Sequence, residues 1–313
     1  MNKTMSKETV SKERIVIRAH DGYPISATIF RQLDVSGQLI KSNGRVVMIN
    51  SATGVPQGYY HNYATFLCEQ GFIAITYDYR GIGESKLDNW QGKPLSMADW
   101  GKQDLDSVIV WAKRVFSDHR LLAISHSVGG QLIGLAMHNN SIEGVLAISS
   151  QAGYTGFWSG IEKFKFQLYT HIVIPGVTRV MGDLPGSLLG SEPLPRGVAR
   201  QWARWCRHPD YMIDRQGKPM REHFDGYNNK LRLYHFTDDQ MYAPLKAVEV
   251  LGSYYKNADV EVMVRQPVDY EGHSVGHFGF FKRSMPKQAW LETAEWLVNP
   301  VINKHSDQRA TAA

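Results

Sequence analysis

The chain has 313 residues, of which 43% are hydrophobic and 21% are charged. This composition is sufficient for one large α/β domain with a sizeable core, and it excludes a globally disordered chain. The formal net charge is +5, but lysines and arginines form no dense run, so we expect no nucleic-acid partner.

The cysteines and the apolar segments limit the cellular setting. Cys68 and Cys206 do not have the spacing of a metal or redox site. The segment 1–13 has no apolar region of the kind found in signal peptides, and no stretch of about 18 apolar residues occurs in the chain. We therefore expect a cytoplasmic protein without stable membrane insertion.

The first elements are a polar tail and an antiparallel hairpin. Residues 1–12 are predicted to be a flexible tail. The segments 14–18 and 25–30 alternate apolar and polar residues around a turn at Asp21 and Gly22, which predicts two paired strands. The next strand, 45–50, is apolar throughout, as is typical of strands buried on both faces.

Loops with little side-chain bulk follow the next two strands. The loop 51–58 leads into a predicted helix, 59–70, and a backbone N–H in this loop near Gly54 is a candidate oxyanion donor. After the strand 71–77, Asp78 and Arg80 are predicted to pair and hold a glycine-rich turn. Residues 99–116 are predicted to form an amphipathic helix with Asp99 as its N-cap.

The apolar strand that ends at Ser125 is followed by a turn of small residues and then by a helical pattern that starts at Gln131. This order is the context of a nucleophile elbow, which would expose the hydroxyl of Ser127 at the sheet edge. Small residues are needed two positions before and after Ser127, and Ser125 stands where glycine is usual. The alternative is an ordinary strand-to-helix turn in which Ser127 is an N-cap.

A long connection interrupts the second half of the sheet. The strands 144–149 and 231–236 are separated by about 80 residues, far more than the usual connection of roughly 2–6. We therefore predict a core domain of residues 13–150 and 230–300, with residues 151–229 inserted as a helical cap. Aromatic residues in this insertion are expected to pack the cap, to line an apolar pocket, or both; they are Tyr154, Phe157, Trp158, Phe164, Phe166, Tyr169, Trp202 and Trp205.

Acidic and histidine candidates follow the last two strands. Asp238 and Asp239 come directly after the strand 231–236, so both should lie at the same sheet edge as Ser127. His273 and His277 lie in the loop after the strand 260–264. No histidine clusters with carboxylates along the sequence at metal-ligand spacing, so we expect no metal site.

The chain resembles the α/β-hydrolase superfamily from about residue 14 to 298, and it is most similar to uncharacterised predicted bacterial hydrolases of that fold. The resemblance rests on segments 124–130, 78–85 and 276–278, which are similar to the family's nucleophile elbow, Asp-x-Arg-Gly-x-Gly-x-Ser loop and histidine loop. It implies a mostly parallel, doubly wound α/β sheet with an inserted helical cap.

The family order of serine, acid and histidine implies roles for individual residues. Ser127 would be the nucleophile and His277 the general base. Asp239 is the preferred acid because it lies nearer to Pro244, and Asp238 is the alternate acid. Val128 and a residue near Gly54 would supply the oxyanion hole.

The expected function is hydrolysis of an ester-like bond in a small-molecule acyl substrate, through an acyl-enzyme and without a cofactor. An acyltransferase or a peptidase with the same three residues is the first alternative. A non-catalytic binding protein that keeps the pocket is the second. The sequence leaves the oligomeric state open.

Overall fold

The computed structural model describes residues 9–90 and 92–300, and an eight-stranded sheet forms its centre. The strands are β1 (Val10–Arg18), β2 (Pro24–Gln32), β3 (Arg45–Asn50), β4 (Ile73–Tyr77), β5 (Arg120–His126), β6 (Gly144–Ile148), β7 (Lys230–Phe236) and β8 (Asp259–Arg265). Their spatial order is β1-β2-β4-β3-β5-β6-β7-β8. Because β1 begins at Val10, it includes the last three residues of the predicted tail; residues 1–8 lie outside the described residues.

Strand direction divides the sheet into two parts. β1 and β2 form the expected antiparallel hairpin, and β2 is antiparallel to β4. Every pairing from β4 across to β8 is parallel. The carboxyl ends of these parallel strands therefore share one edge, and the loops that follow them meet there.

The middle residues of the central strands are apolar on both sides because helices cover the sheet on both faces. In β3, Val46 and Met48 belong to one core cluster, whereas Val47 and Ile49 belong to the other. Successive side chains of a strand point to opposite faces, so each central strand contributes to both clusters.

Ten α-helices surround the sheet within the described residues. They are α1 (His61–Glu69), α2 (Met97–Asp99), α3 (Asp106–Val115), α4 (Val128–Leu132), α5 (Gly160–Leu168), α6 (Ile174–Val180), α7 (Arg196–Cys206), α8 (Glu222–Gly226), α9 (Leu245–Ser253) and α10 (Lys287–Val298). Two π-helical stretches, Trp100–Leu105 and Tyr169–Val173, join α2 to α3 and α5 to α6. The predicted helix 99–116 therefore begins earlier, at Met97, and its N-cap is Ser96, whose hydroxyl accepts from the Asp99 N–H at 3.3 Å.

The segment between β6 and β7 contains the helices α5 to α8. Its aromatic side chains pack on one another: the ring centroids of Trp158 and Phe166 are 4.6 Å apart, and Phe166 also lies against Trp202. The segment is joined to the loop after β3, because the Glu192 N–H donates to the Gly54 carbonyl at 3.0 Å. These contacts hold the helical segment over the carboxyl edge of the sheet.

The predicted pairing of Asp78 with Arg80 was wrong. The Asp78 carboxylate accepts instead from the backbone N–H of Gln57 at 2.7 Å and of Glu84 at 3.1 Å. Arg80 is buried and binds Asp104 at 2.7 Å and Asp21 at 2.8 Å. Burial raises the pKa of Asp104 to about 7, and the neighbouring guanidinium opposes that rise.

Candidate active site

Ser127 lies in a strained turn between β5 and α4. Its backbone has φ 51° and ψ −117°, a conformation that residues with a Cβ rarely adopt. The Ser127 N–H donates to the Ile148 carbonyl at 2.9 Å, which ties the turn to the end of β6. Two residues later, a Cβ on Gly129 would lie 2.5 Å from the Asn50 carbonyl oxygen, so only glycine fits there.

Serine at position 125 is accommodated by a hydrogen bond. Asn50 is paired with Ser125 across β3 and β5, and its side-chain amide donates to the Ser125 hydroxyl at 2.9 Å. The side-chain oxygen of the same Asn50 amide, Oδ1, accepts from the Tyr77 hydroxyl at 2.8 Å. The polar atom that replaces glycine is therefore satisfied inside the core, and the turn that follows keeps its shape.

His277 joins the serine to an aspartate. Its Nε2 lies 2.9 Å from the Ser127 hydroxyl oxygen, and its Nδ1 lies 2.7 Å from Asp239 Oδ2. All three residues are buried, with exposed fractions of 7% or less. The other Asp239 oxygen has no hydrogen-bond partner in the described part of the chain, so the imidazole is the group that faces this buried carboxylate.

The two competing candidates occupy other positions. Asp238 points to the histidine loop, where its Oδ2 accepts from the Ser274 hydroxyl and the Val275 N–H, both at 2.8 Å. His273 is exposed on that loop. Asp238 therefore anchors the backbone that carries His277, whereas Asp239 contacts the imidazole itself.

His126 connects three parts of the site through a buried hydrogen-bond chain. The Ala52 N–H donates to the Tyr60 hydroxyl at 2.8 Å, and that hydroxyl lies 2.9 Å from His126 Nδ1. His126 Nε2 lies 2.8 Å from the His277 carbonyl oxygen. Burial, reinforced by the neighbouring His277, lowers the pKa of His126 to about 3, so its ring is neutral at neutral pH.

The tautomer of His126 follows from these partners. A carbonyl oxygen only accepts, so Nε2 carries the proton and donates to His277. Nδ1 is then the acceptor, and the Tyr60 hydroxyl donates to it while accepting from Ala52. The chain thus fixes the loop after β3, the end of β5 and the histidine loop relative to one another.

The loop after β3 contains the candidate N–H groups for a second oxyanion donor, and one of them is already hydrogen-bonded. The Val55 N–H already donates to the Ala52 carbonyl at 3.2 Å, which leaves Thr53 and Gly54 as candidates. Gly54 has φ +70°, and a Cβ there would lie 2.6 Å from the Ser191 hydroxyl of the cap. Val128 is the first residue of α4, where a helix leaves N–H groups without internal partners.

An apolar cavity of about 230 Å³ lies between the cap and the loop that carries Asp239. Aromatic rings form much of its wall, including those of Trp158, Trp202 and Tyr242. The Tyr242 ring stacks on His277 with their centroids 4.8 Å apart, so the cavity lies beside the imidazole. None of Ser127, Asp239 and His277 lines this cavity directly, and a larger depression of about 540 Å³ near Lys102 contacts neither them nor Tyr242.

Solved structures with the same architecture match nearly the whole chain. The structure of DcsB with a substrate analogue has a TM-score of 0.62 at 13% sequence identity and covers 93% of this chain and 100% of that chain. An esterase from Pyrococcus furiosus has a TM-score of 0.58 at 15% identity, with coverages of 95% and 93%. A soluble variant of monoglyceride lipase from Saccharomyces cerevisiae has a TM-score of 0.60 at 15% identity, with coverages of 93% and 96%.

The chain has the α/β-hydrolase fold. The predicted fold class is thereby confirmed. No protein-family profile and no curated protein sequence matches the chain, so the likeness to known proteins is one of structure.

Away from Ser127, Asp239 and His277, one group of side chains brings two histidines and a carboxylate together in space, although no such cluster occurs along the sequence. His20 Nε2 and His138 Nδ1 each lie 2.8 Å from the same oxygen of the buried Asp106. The three residues are far apart in sequence, so spacing along the chain did not reveal the group. In this arrangement Asp106 links the β1–β2 turn to the segment after α4.

The sequence did not reveal two aromatic residues of the site, Tyr60, whose hydroxyl contacts His126, and Tyr242, whose ring stacks on His277. Tyr60 lies in an aromatic-rich segment and Tyr242 in a polar loop, and for both the sequence pattern is equally compatible with a role in packing alone. The position of Tyr60 directly after the loop 51–58 was the only signal in the sequence that could have pointed to its role.

Among the described residues, no helix combines the length and apolar character needed to span a membrane.

Proposed function

We propose that this protein is a serine hydrolase that cleaves carboxylic esters or thioesters, with Ser127 as nucleophile, His277 as general base and Asp239 as the acid that orients it. The chain of contacts from the serine hydroxyl through the imidazole to the carboxylate carries this proposal. These residues are separated by 150 and 38 positions in the sequence, and all are buried at one sheet edge.

The first half of the reaction forms an acyl-enzyme. His277 Nε2 removes the Ser127 hydroxyl proton as the oxygen attacks the substrate carbonyl carbon. The resulting imidazolium is stabilised by Asp239, and the oxyanion is held by the N–H of Val128 and that of Gly54. The intermediate collapses when His277 returns the proton to the leaving alcohol or thiol, and the acyl group stays on Ser127.

The second half repeats these steps with water. His277 deprotonates a water molecule, which attacks the acyl carbonyl, and the same oxyanion donors stabilise the second tetrahedral intermediate. Its collapse releases the carboxylic acid and returns the proton to Ser127. No step requires a group that this chain does not supply.

The aromatic cavity supports an apolar acyl group as the part of the substrate that is recognised. It is bounded by Trp158, Trp202 and Tyr242, and the last of these also contacts His277. A small molecule that places its acyl chain among these rings would bring its carbonyl beside the imidazole.

Hydrolysis of p-nitrophenyl esters of increasing acyl length tests the proposal. Wild type should hydrolyse them, and Ser127→Ala should lose about 10³-fold or more in kcat. Ser107→Ala is a matched control, because Ser107 is also buried but lies on α3 and accepts from His20. If Ser127→Ala retains the wild-type rate, the proposed mechanism is wrong.

Two further assays separate the alternatives. A serine-directed phosphonate should label wild type but not Ser127→Ala, and a binding protein without catalysis would show neither labelling nor turnover. Adding an alcohol acceptor should leave free acid as the main product. Predominant transfer to the alcohol would identify an acyltransferase instead.

A further inference from the structure

The cap presents an apolar ridge to solvent. The segments α5, Tyr169–Val173 and α6 follow one another without interruption from Gly160 to Val180. Large apolar side chains on and just after this stretch are 41% to 85% exposed; this cap ridge consists of Ile161, Phe164, Leu168, Ile172, Val180 and Met181. The first four are spaced by three, four and four residues, which places them on one helix face.

The opposite side of the same helical stretch faces inward. Phe166 and Tyr169 line the cavity beside the triad, whereas Phe164 and Leu168 do not. One helical stretch therefore separates the cavity from the exposed ridge. The exposed Leu188 and Met241 also line the cavity, so apolar surface reaches from the outside of the cap into its interior.

A cluster of four arginines lies next to the ridge. This arginine cluster is Arg179, Arg200, Arg204 and Arg207, and it surrounds a depression that also contacts Pro175 and Gly176 of α6. Arg179 directly precedes the ridge residue Val180, so charged and apolar surface are adjacent on the cap.

The charges of the arginine cluster are not neutralised by carboxylates. Arg200 donates to the Thr178 hydroxyl at 3.0 Å, Arg204 to the Asp214 carbonyl at 2.6 Å and Arg207 to the Thr170 carbonyl at 3.1 Å, all of which are neutral acceptors. Across residues 9–90 and 92–300, none of the cluster forms an ion pair.

We propose that the cap docks on an anionic phospholipid surface, with the cap ridge inserted among the acyl chains and the arginine cluster on the headgroup phosphates. An apolar helix face flanked by cations is the pattern of interfacial helices, and their binding grows with the anionic lipid content. A second copy of this chain fits less well, because a contact between two copies of the ridge and the arginine cluster would bring no carboxylate to the cations, whereas a phospholipid surface supplies phosphates. The docked cap would let an acyl substrate pass from the lipid into the cavity, a consequence that rests on the proposed function.

Vesicle flotation of the full-length chain tests docking without relying on catalysis. Wild type should bind vesicles of equal parts phosphatidylcholine and phosphatidylglycerol, and binding should fall at least about tenfold on phosphatidylcholine alone or in high salt. The double variant Phe164→Asp/Ile172→Asp should lose at least about tenfold in binding, because it places two charges on the ridge.

Matched controls separate ridge effects from general loss of surface hydrophobicity. Val35→Asp/Val268→Asp changes two side chains that are 87% and 74% exposed on the core domain, and it should bind as wild type does. Thermal unfolding of both double variants should match wild type. Absence of wild-type binding to the anionic vesicles, or equal binding by the ridge variant, would overturn the proposal. So would a dimer in sedimentation that the ridge variant abolishes, since the ridge would then be a subunit interface.

Catalysis provides a second, separable readout. The ridge variant should hydrolyse a water-soluble p-nitrophenyl ester at the wild-type rate, but lose at least about tenfold in rate on a long-chain ester embedded in anionic vesicles. If neither protein hydrolyses any ester while vesicle binding behaves as expected, the proposed function fails and the docking surface stands. If soluble and embedded esters are affected equally, the ridge does not deliver substrate.

Discussion

Replacing Tyr60 with phenylalanine removes a single oxygen atom that joins the loop after β3 to the nucleophile strand. The Tyr60 hydroxyl accepts from the Ala52 N–H at 2.8 Å and donates to His126 Nδ1 at 2.9 Å. The ring is fully buried, so Tyr60→Phe should leave its packing intact while both partners lose their hydrogen bond.

The expected losses follow from these two partners. A buried polar group without a partner costs about 1–3 kcal/mol, so the two unpaired groups left by Tyr60→Phe should lower the free energy of unfolding by about 2–6 kcal/mol. Ala52 also precedes the proposed oxyanion donor Gly54 by two residues. A displacement of that donor by a fraction of an ångström should lower kcat by about 10- to 100-fold, with a smaller change in KM.

Tyr63→Phe is a closely matched control. Tyr63 is also fully buried, but its hydroxyl contacts the Thr293 hydroxyl on α10, at 2.7 Å. Thr293 keeps a second bond to the Trp290 carbonyl, so this variant should lose only about 1 kcal/mol of stability and retain its turnover.

Urea denaturation and steady-state hydrolysis of the best p-nitrophenyl ester measure both effects. A Tyr60→Phe variant that loses stability as expected but turns over within twofold of Tyr63→Phe would contradict this prediction. The hydrogen-bond chain would then stabilise the fold without positioning the oxyanion loop.

Three further perturbations address the elbow, the acid and the buried imidazole. Gly129→Ala places a Cβ 2.5 Å from a backbone oxygen of β3 and should abolish hydrolysis, whereas Gly58→Ala, which meets no atom within 4 Å, should leave the rate unchanged. Asp239→Asn should lower kcat by about 10³- to 10⁴-fold, and Asp238→Asn by less than about tenfold, because the amide oxygen can still anchor the histidine loop; similar losses in both would reject this assignment. Because the pKa of His126 is lower in the folded chain, the unfolded chain binds the proton more readily. The contribution of the neutral His126 to stability is therefore full above pH 6.5 and is lost as the pH falls toward about 3. Urea titrations of wild type and His126→Gln should show this difference growing with pH across that window and constant above it; a pH-independent difference would contradict it.

Local pattern was sufficient for the strands of the sheet and for the turn that carries Ser127, the proposed nucleophile. The strands β3, β5 and β6 each contain a continuous run of buried apolar residues, and strand, small-residue turn and helix are contiguous around Ser127. Such features depend on neighbours along the chain, so periodicity and turn chemistry reveal them. The order of Asp239 and His277 after the last strands likewise placed them at the correct sheet edge.

Only the folded structure could distinguish candidate residues that are neighbours in the sequence. Asp238 and Asp239 have the same chemistry one residue apart, and only their side-chain directions separate the anchor of the histidine loop from the partner of the imidazole. The same is true of Arg80, whose carboxylate partners come from the β1–β2 turn and from Asp104 rather than from the neighbouring Asp78.

The sequence by itself therefore determined the strands, their order and the strand-turn-helix that carries Ser127, because each is encoded by side chains close together along the chain. Only the tertiary structure decided which buried polar groups meet, as His126 and the His277 carbonyl do across 151 residues. It also decided that the cap turns Phe164 outward and Phe166 inward. The spacing of apolar residues predicts that a helix has an apolar face. Only packing against the rest of the molecule decides whether that face is buried or exposed to solvent.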